Sequence, residues 1–409
     1  MKPNLIFLFT QEIRNSISAL IAAIRYSNLE KDFLIQYSES SEDILSKIDN
    51  SVPNIILFSI TTVNFYDRYR DIKKIIRATE GIKDILYIAG GPHADGDPHS
   101  LIKSGFDIVF SGYSEESFST FLKSYLEAGG VREKRKIIYG KTPFLWNKRS
   151  FASFANNYFP PLELQRGCRF RCSYCQSCTR LNKQIYKSRE AIDEYITDFL
   201  SLGFKRFSFV SPDAFDIRFV KDERSPENML QLFEYLSSKG IEIIEYGQFP
   251  SEIRPHRDTD EYFRVLSKYT KNRKIVIGAQ SFVDERLKKI RRGHTSLDIE
   301  STMESAHRYG FYSIVDIIIG FPDESPEERH HTLNRFRDLN KRFPSRLHIH
   351  YFLPLAGTQM YYENPSPLDE TTLRLLDRLE RDGRAKGWWR EGKRMVEKII
   401  KMRTQFSET

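Results

Sequence analysis

The chain has 409 residues, 40% of them hydrophobic, which is enough to bury more than one core of ordinary domain size. Its first apolar run, Leu5 to Phe9, is interrupted at once by Gln11, Glu12 and Arg14, so a secretory core segment or membrane span is excluded there and a soluble, cytoplasmic protein is expected. The formal net charge is +8, but basic residues are spread along the whole chain and the one dense run, Arg132 to Lys136, sits where a solvated linker is expected, so a nucleic-acid partner is not.

Short apolar runs rich in β-branched residues come first: Leu5 to Phe9, Phe33 to Tyr37, Ile55 to Ile60, Ile85 to Ala89 and Ile108 to Phe110. Amphipathic stretches separate them, such as Ile17, Leu20, Ile21 and Ile24, whose three- and four-residue spacing puts one apolar stripe against a sheet. Residues 1–128 therefore read as a flavodoxin-like, doubly wound α/β domain. Gly129-Gly130 ends its last helix, and residues 129–150, with Pro143, Trp146 and Asn147, read as a linker with some β character.

A second domain is expected from about Phe151 to residue 365. Its strand candidates are Leu162 to Gln165, Phe207 to Val210, Ile241 to Tyr246, Ile275 to Ala279, Ile314 to Ile319 and Leu347 to Phe352, with helical stretches between. Six strands are too few for a complete eight-stranded barrel, so a partial, open (β/α)6 barrel is predicted, with ligands at the carboxyl ends of its strands. Residues 366–409 are charged and helical, with Trp388-Trp389 as their large aromatic pair, and would cap the barrel mouth or pack on its side.

All four cysteines fall between Cys168 and Cys178, which leaves no distant partner for a structural disulfide and suits metal-binding thiolates. Cys168, Cys172 and Cys175 form CxxxCxxC on the loop after the first barrel strand. Three thiolates on a 4Fe-4S cluster leave one iron open to chelate a substrate; a zinc site, or a saturated cluster that also uses Cys178, is the alternative.

This spacing resembles the radical SAM superfamily, in which the open iron takes the amino and carboxylate groups of S-adenosylmethionine (SAM), and Tyr174 matches the aromatic residue that precedes the third cysteine. Further motifs follow at successive strand ends. Ser211 and Asp213 lie in Phe209-Val210-Ser211-Pro212-Asp213, and Gln280 and Ser281 end the Ile277 to Phe282 stretch, with Gln280 the best ribose or carboxylate contact. Arg292, in Leu287 to Thr295, matches the arginine that coproporphyrinogen-oxidase-like members bring to the SAM carboxylate. Asp316 and Ile318, in Asp316 to Pro322, resemble the fifth-strand motif, and Phe352, after His348 and His350, the sixth; alternation points the two histidines to one face, where they line the barrel or serve as satisfied core residues.

A flavodoxin-like module ahead of such a barrel is typical of the cobalamin-dependent radical SAM group. The resemblance then implies cobalamin at Thr61-Thr62, at the loop Gly90-Gly91-Pro92-His93, and at the turn Gly112-Tyr113 with Glu115, where Ser114 stands in place of a commoner glycine. The Asp-x-His-x-x-Gly motif that supplies a cobalt-ligating histidine in many cobalamin enzymes is absent, and no histidine precedes His93, so His93 is expected to bond a corrin amide or the backbone rather than cobalt. The function implied is cobalamin-dependent methyl transfer to an unactivated carbon or phosphorus of a small-molecule, lipid or peptide substrate, served by an electron donor such as ferredoxin or flavodoxin. Rivals are a non-methylating rearrangement, cyclisation or oxidation and, from another class, a non-catalytic cobalamin sensor. A methylthiotransferase is disfavoured because the first domain has no cysteines.

Overall fold

In the computed structural model the described residues are 1–130, 134–141, 143, 146, 158–178 and 184–407, without the side chains of Cys178 and Ser407. Arg132 and Glu133 of the basic run, Asn147, and the domain start near Phe151 lie outside them. Among the described residues, no helix is long and apolar enough to cross a membrane.

The first unit is a six-stranded parallel sheet of β1 (Asn4–Leu8), β2 (Leu34–Ser38), β3 (Asn54–Ser59), β4 (Ile85–Gly90), β5 (Ile108–Gly112) and β6 (Lys136–Gly140), in the order β2-β1-β3-β4-β5-β6. The central strands are buried on both faces, which is why they read as unbroken apolar runs. Leu5 and Phe7 pack with Ile17, Ile21 and Phe118 of the helices Arg14–Tyr26 and Ser114–Ala128. Ile6 and Leu8 pack the other way, with Phe65, Ile72 and Ile75 of the helix Thr62–Ala78. This is the doubly wound arrangement expected. The stretch read as a linker contributes β6, a half-exposed edge strand in register with β5, so the first sheet extends past residue 128 to Gly140.

In the second unit the wall begins with β7 (Leu162–Glu163). The antiparallel pair β8 (Gln165–Arg166) and β9 (Ile185–Tyr186) and the short strands β10 (Arg206–Phe207), β11 (Phe209–Val210) and β12 (Ile243–Ile244) follow. The long strands β13 (Lys274–Gln280), β14 (Tyr312–Ile319) and β15 (Ser345–Tyr351) complete it, with β16 (Ala385–Gly387) at the end. β7 pairs with β11, Ser211 bridges Ser251, Ile253 bridges Ile277 of β13, and the sheet continues in parallel through β14, β15 and β16. The barrel is therefore partial and open. Two departures from expectation shape it. The third wall position is taken by single bridges at Ser251 and Ile253 instead of by the predicted run Ile241 to Tyr246, whose two strand residues pair with β10. The tail, expected to be helical throughout, inserts β16 beside β15.

The last helix, Trp389–Ser407, does not cap the barrel but joins the two units. Ile399 is fully buried in the first unit's core, whereas Trp389 and Val396 belong to the second's. Lys398 adds an ion pair to Asp67 at 2.6 Å, and the Tyr66 and Tyr361 hydroxyls are hydrogen-bonded at 2.9 Å across the same junction.

Candidate functional site

A cavity of about 540 Å³ lies where the two units meet, at the carboxyl ends of both sheets. Ser59, Gly90, Gly112, Tyr113 and Glu115 line it from the first unit; Gln165, the cysteine loop, Ser211, Glu252, Arg254, Gln280 and Arg292 line it from the second.

On the first side, the Gly90-Gly91 turn folds onto the end of β3. Gly91 has φ +96°, and a Cβ there would stand 2.8 Å from the Ile60 nitrogen, so only glycine lets the loop lie this close. Gly90 is different: its Cβ would meet nothing nearer than the Phe110 carbonyl at 3.6 Å. Ser59 Oγ, also in this wall, is buried without a hydrogen-bond partner among the described residues, so the wall has a polar group to offer a ligand's amide. Glu115 is held by Arg166, whose Nη1 lies 2.6 Å from Glu115 Oε1, and Arg166 also bonds Glu163 at 2.9 Å; this buried ion network ties the rim of the first sheet to the start of the barrel.

On the opposite side, Cys168, Cys172 and Cys175, none of them in a disulfide, lie on a loop closed by a hydrogen bond from the Cys175 nitrogen to the Cys172 carbonyl at 3.1 Å. Two guanidiniums reach the Cys172 sulfur, Arg254 Nη2 at 3.5 Å and Arg292 Nη1 at 3.7 Å. Burial pushes the Cys168 thiol up, and the Arg254 charge partly offsets this. Three clustered thiols with two buried cations beside them fit an anionic metal-thiolate cluster, because the cations balance charge that water cannot reach. Each arginine keeps a buried Nε without a partner among the described residues, so capacity remains for an anionic ligand.

Arg292 is seated by a second bond, from Nη2 to the Gly278 carbonyl at 2.7 Å, and a Cβ on Gly278 would come within 2.6 Å of that same nitrogen. The glycine in β13 therefore makes room for the guanidinium. Burial, reinforced by the Asp316 carboxylate, pushes Glu252 up to about 7.

Of the residues expected to bind SAM, the structure brings Tyr174, Ser211, Gln280 and Arg292 to this cavity. Asp213 is instead fully buried in the wall, where Oδ1 accepts from the Phe215 nitrogen. Ser281 is bonded to Thr332, and Phe352 is packed on Phe321 at a ring distance of 5.8 Å. Asp316 and Ile318 stand on the same face as His348 and His350 and are not among the residues that line the cavity.

On the cobalamin side, Gly90, Gly91, Gly112, Tyr113 and Glu115 line the cavity, but four residues do not. Thr61 is the N-cap of the helix Thr62–Ala78 in a capping box with Asn64. Thr62 is buried at the domain junction, where its Oγ1 accepts from the Ala356 nitrogen and from Gln176 Nε2, both at 3.1 Å. Pro92 opens a short helix and its carbonyl accepts from Gln176. His93 is fully buried, with its ring nitrogens on Thr62 and Ser100 and its ring 4.6 Å from Phe65; burial pushes it down to about 4. The imidazole thus packs inside the first unit, with both nitrogens committed, instead of bonding a corrin amide.

Sequence reasoning missed Arg254, Glu252 and Gln176. The first two lie in the irregular stretch Ser251 to Pro255, which carries no periodic signal, although an arginine and a carboxylate in an otherwise apolar Pro-flanked segment were visible. Gln176 directly follows the third cysteine and ties the cysteine loop to Thr62 and to the Ala356 carbonyl at 2.9 Å.

The radical SAM superfamily matches residues 162–336, and the B12 binding domain matches residues 15–122. An uncharacterized methyltransferase of Pyrococcus horikoshii is 22% identical over 354 residues, covering 78% of this chain and 71% of its own. Among solved structures, the radical S-adenosylmethionine methyltransferase TsrM from Kitasatospora setae, with cobalamin and a 4Fe-4S cluster bound, superposes with a TM-score of 0.65 at 12% identity, covering 88% of this chain and 74% of that one. The cobalamin-dependent S-adenosylmethionine radical enzyme OxsB, with aqua-cobalamin bound, gives a TM-score of 0.59 at 13% identity, covering 94% of this chain and 62% of that one. Both likenesses are of fold.

Proposed function

Because this chain belongs to the radical SAM superfamily and carries a B12-binding domain ahead of its radical SAM domain, we propose that it is a cobalamin-dependent methyltransferase that places a SAM-derived methyl group on an unactivated carbon or phosphorus centre. The supporting observation is that one cavity has the strand ends of the first sheet and the cysteine loop as its two walls. Cys168, Cys172 and Cys175 would hold a 4Fe-4S cluster. Ser59, Gly90, Gly91, Gly112 and Tyr113 would face cobalamin. Together with SAM these groups supply, when bound, reductive SAM cleavage and methyl carriage.

The chain's own residues orient and insulate. Arg254 and Arg292 would neutralise thiolate and carboxylate charge, Gln280 would offer its amide to the ribose or carboxylate of SAM, and Gln176 fixes the cysteine loop against the first unit. The partners expected are a small-molecule, lipid or peptide substrate and a ferredoxin- or flavodoxin-type electron donor. The test is anaerobic incubation of the reconstituted chain with methyl-deuterated SAM, a reductant and candidate substrates of these classes. A labelled product formed together with 5′-deoxyadenosine is expected. 5′-Deoxyadenosine with a transformed but unlabelled product would replace methylation by rearrangement, cyclisation or oxidation.

A further inference from the structure

The barrel lumen holds a cluster of ligand-type side chains that the cavity does not use. Asp316 on β14 is in register with His348 on β15, and His350 lies two residues on, so that strand alternation puts all three on one face. In the neighbouring strand β13, Gly278 is in register with Asp316, and the room its missing side chain leaves is taken by the Arg292 guanidinium, so the side of the cluster toward β13 is bounded by that residue. His348 Nδ1 stands 3.0 Å from Asp316 Oδ1 and His350 Nε2 3.6 Å from Oδ2, and the three donor atoms all lie within 4.8 Å of one another. Among the described residues, His348 is hydrogen-bonded to Asp316 alone, and His350 makes no hydrogen bond.

We propose that Asp316, His348 and His350 bind one divalent transition-metal ion inside the barrel, separate from the cysteine loop. Two features favour an ion over a simple carboxylate–imidazole contact. Two imidazoles converge on one carboxylate, one toward each oxygen, with their ring centroids 4.3 Å apart, so three ligand-type groups share one small space. The carboxylate is 7% exposed and the imidazoles 36% and 24%, so the anionic ligand lies at the base and the neutral ligands face the open lumen through which an ion would enter. Two imidazoles and one carboxylate suit zinc or ferrous iron, and three protein ligands leave a position open toward the lumen. The His350 ring lies 5.8 Å from Trp388, which walls the site on the side of the tail.

The test is the metal content of the anaerobically reconstituted full chain after exposure to zinc and gel filtration. Wild type should retain about one zinc per chain in addition to about four irons. His348→Ala and His350→Ala should retain the irons, which reports an intact barrel, and lose the zinc. Asp316→Asn, which preserves volume, decides the matter for any histidine variant that fails to fold and should also lose the zinc. Wild type without zinc, or zinc that persists in all three variants, would overturn the site. Loss of iron from wild type would instead count against the cluster assigned to the cysteines.

Discussion

Gly90→Phe is expected to lower cobalamin retention by more than about tenfold, while the chain still takes up about four irons. The reason is local. Gly90 lines the cavity at the end of β4, its backbone is not in the left-handed region, and a Cβ there meets only ordinary contacts, so a large side chain can be carried without unfolding the strand. Its ring would then occupy the space in which a corrin must lie. Gly91 is the poorer choice for this test, because its φ of +96° and the Ile60 backbone 2.8 Å from a Cβ make any substitution disturb the turn itself. Cobalamin absorbance after desalting, set beside iron content, separates the two effects. Retention of cobalamin by a folded Gly90→Phe chain would remove this wall from the site.

Replacing Cys172 should have the largest effect of all. Cys172 is the buried member of the trio, and both guanidiniums are directed at its sulfur. Cys172→Ala deletes a cluster ligand and leaves Arg254 and Arg292 facing an apolar methyl, so iron uptake and 5′-deoxyadenosine formation should fall to background. Cys178→Ala should keep about four irons and SAM cleavage, as a three-thiolate site requires. Iron quantitation and the charge-transfer absorbance of the reconstituted proteins check both. If Cys178→Ala alone lost the cluster, the site would have four thiolate ligands and no open iron.

How far these features were legible follows from where the determining information lies. β1, β3, β4 and β5 were plain because a parallel strand buried on both faces must be continuously apolar. β6 was hidden by the basic run before it and by its own half-exposed edge position. β16 is three residues long, with Lys386 at its centre, and exists only because β15 offers it a partner. In the site, cysteine spacing is local and readable, as is the glycine turn after β4. The direction of a side chain leaving that turn is not: His93 turns inward because Phe65, Thr62 and Ser100 receive it, and these are separated from it in sequence or set by helix packing. Thr61 was readable as a cap, since Asn64 stands at the capping-box distance, but its place on the sheet rim favoured a ligand role. Arg254 depends on two single bridges, Ser211 to Ser251 and Ile253 to Ile277, that no periodic pattern encodes.

The claim on which the rest depends is that one cavity, between the ends of the first sheet and the cysteine loop, holds cobalamin next to the cluster. Anomalous diffraction at the cobalt and iron edges, from crystals of the anaerobically reconstituted chain loaded with cobalamin, tests it most directly. The account predicts a cobalt peak inside the cavity, on the side of Ser59, Gly90 and Gly112, and iron peaks at Cys168, Cys172 and Cys175. A cobalt peak outside that cavity, or iron peaks away from these three cysteines, would contradict it.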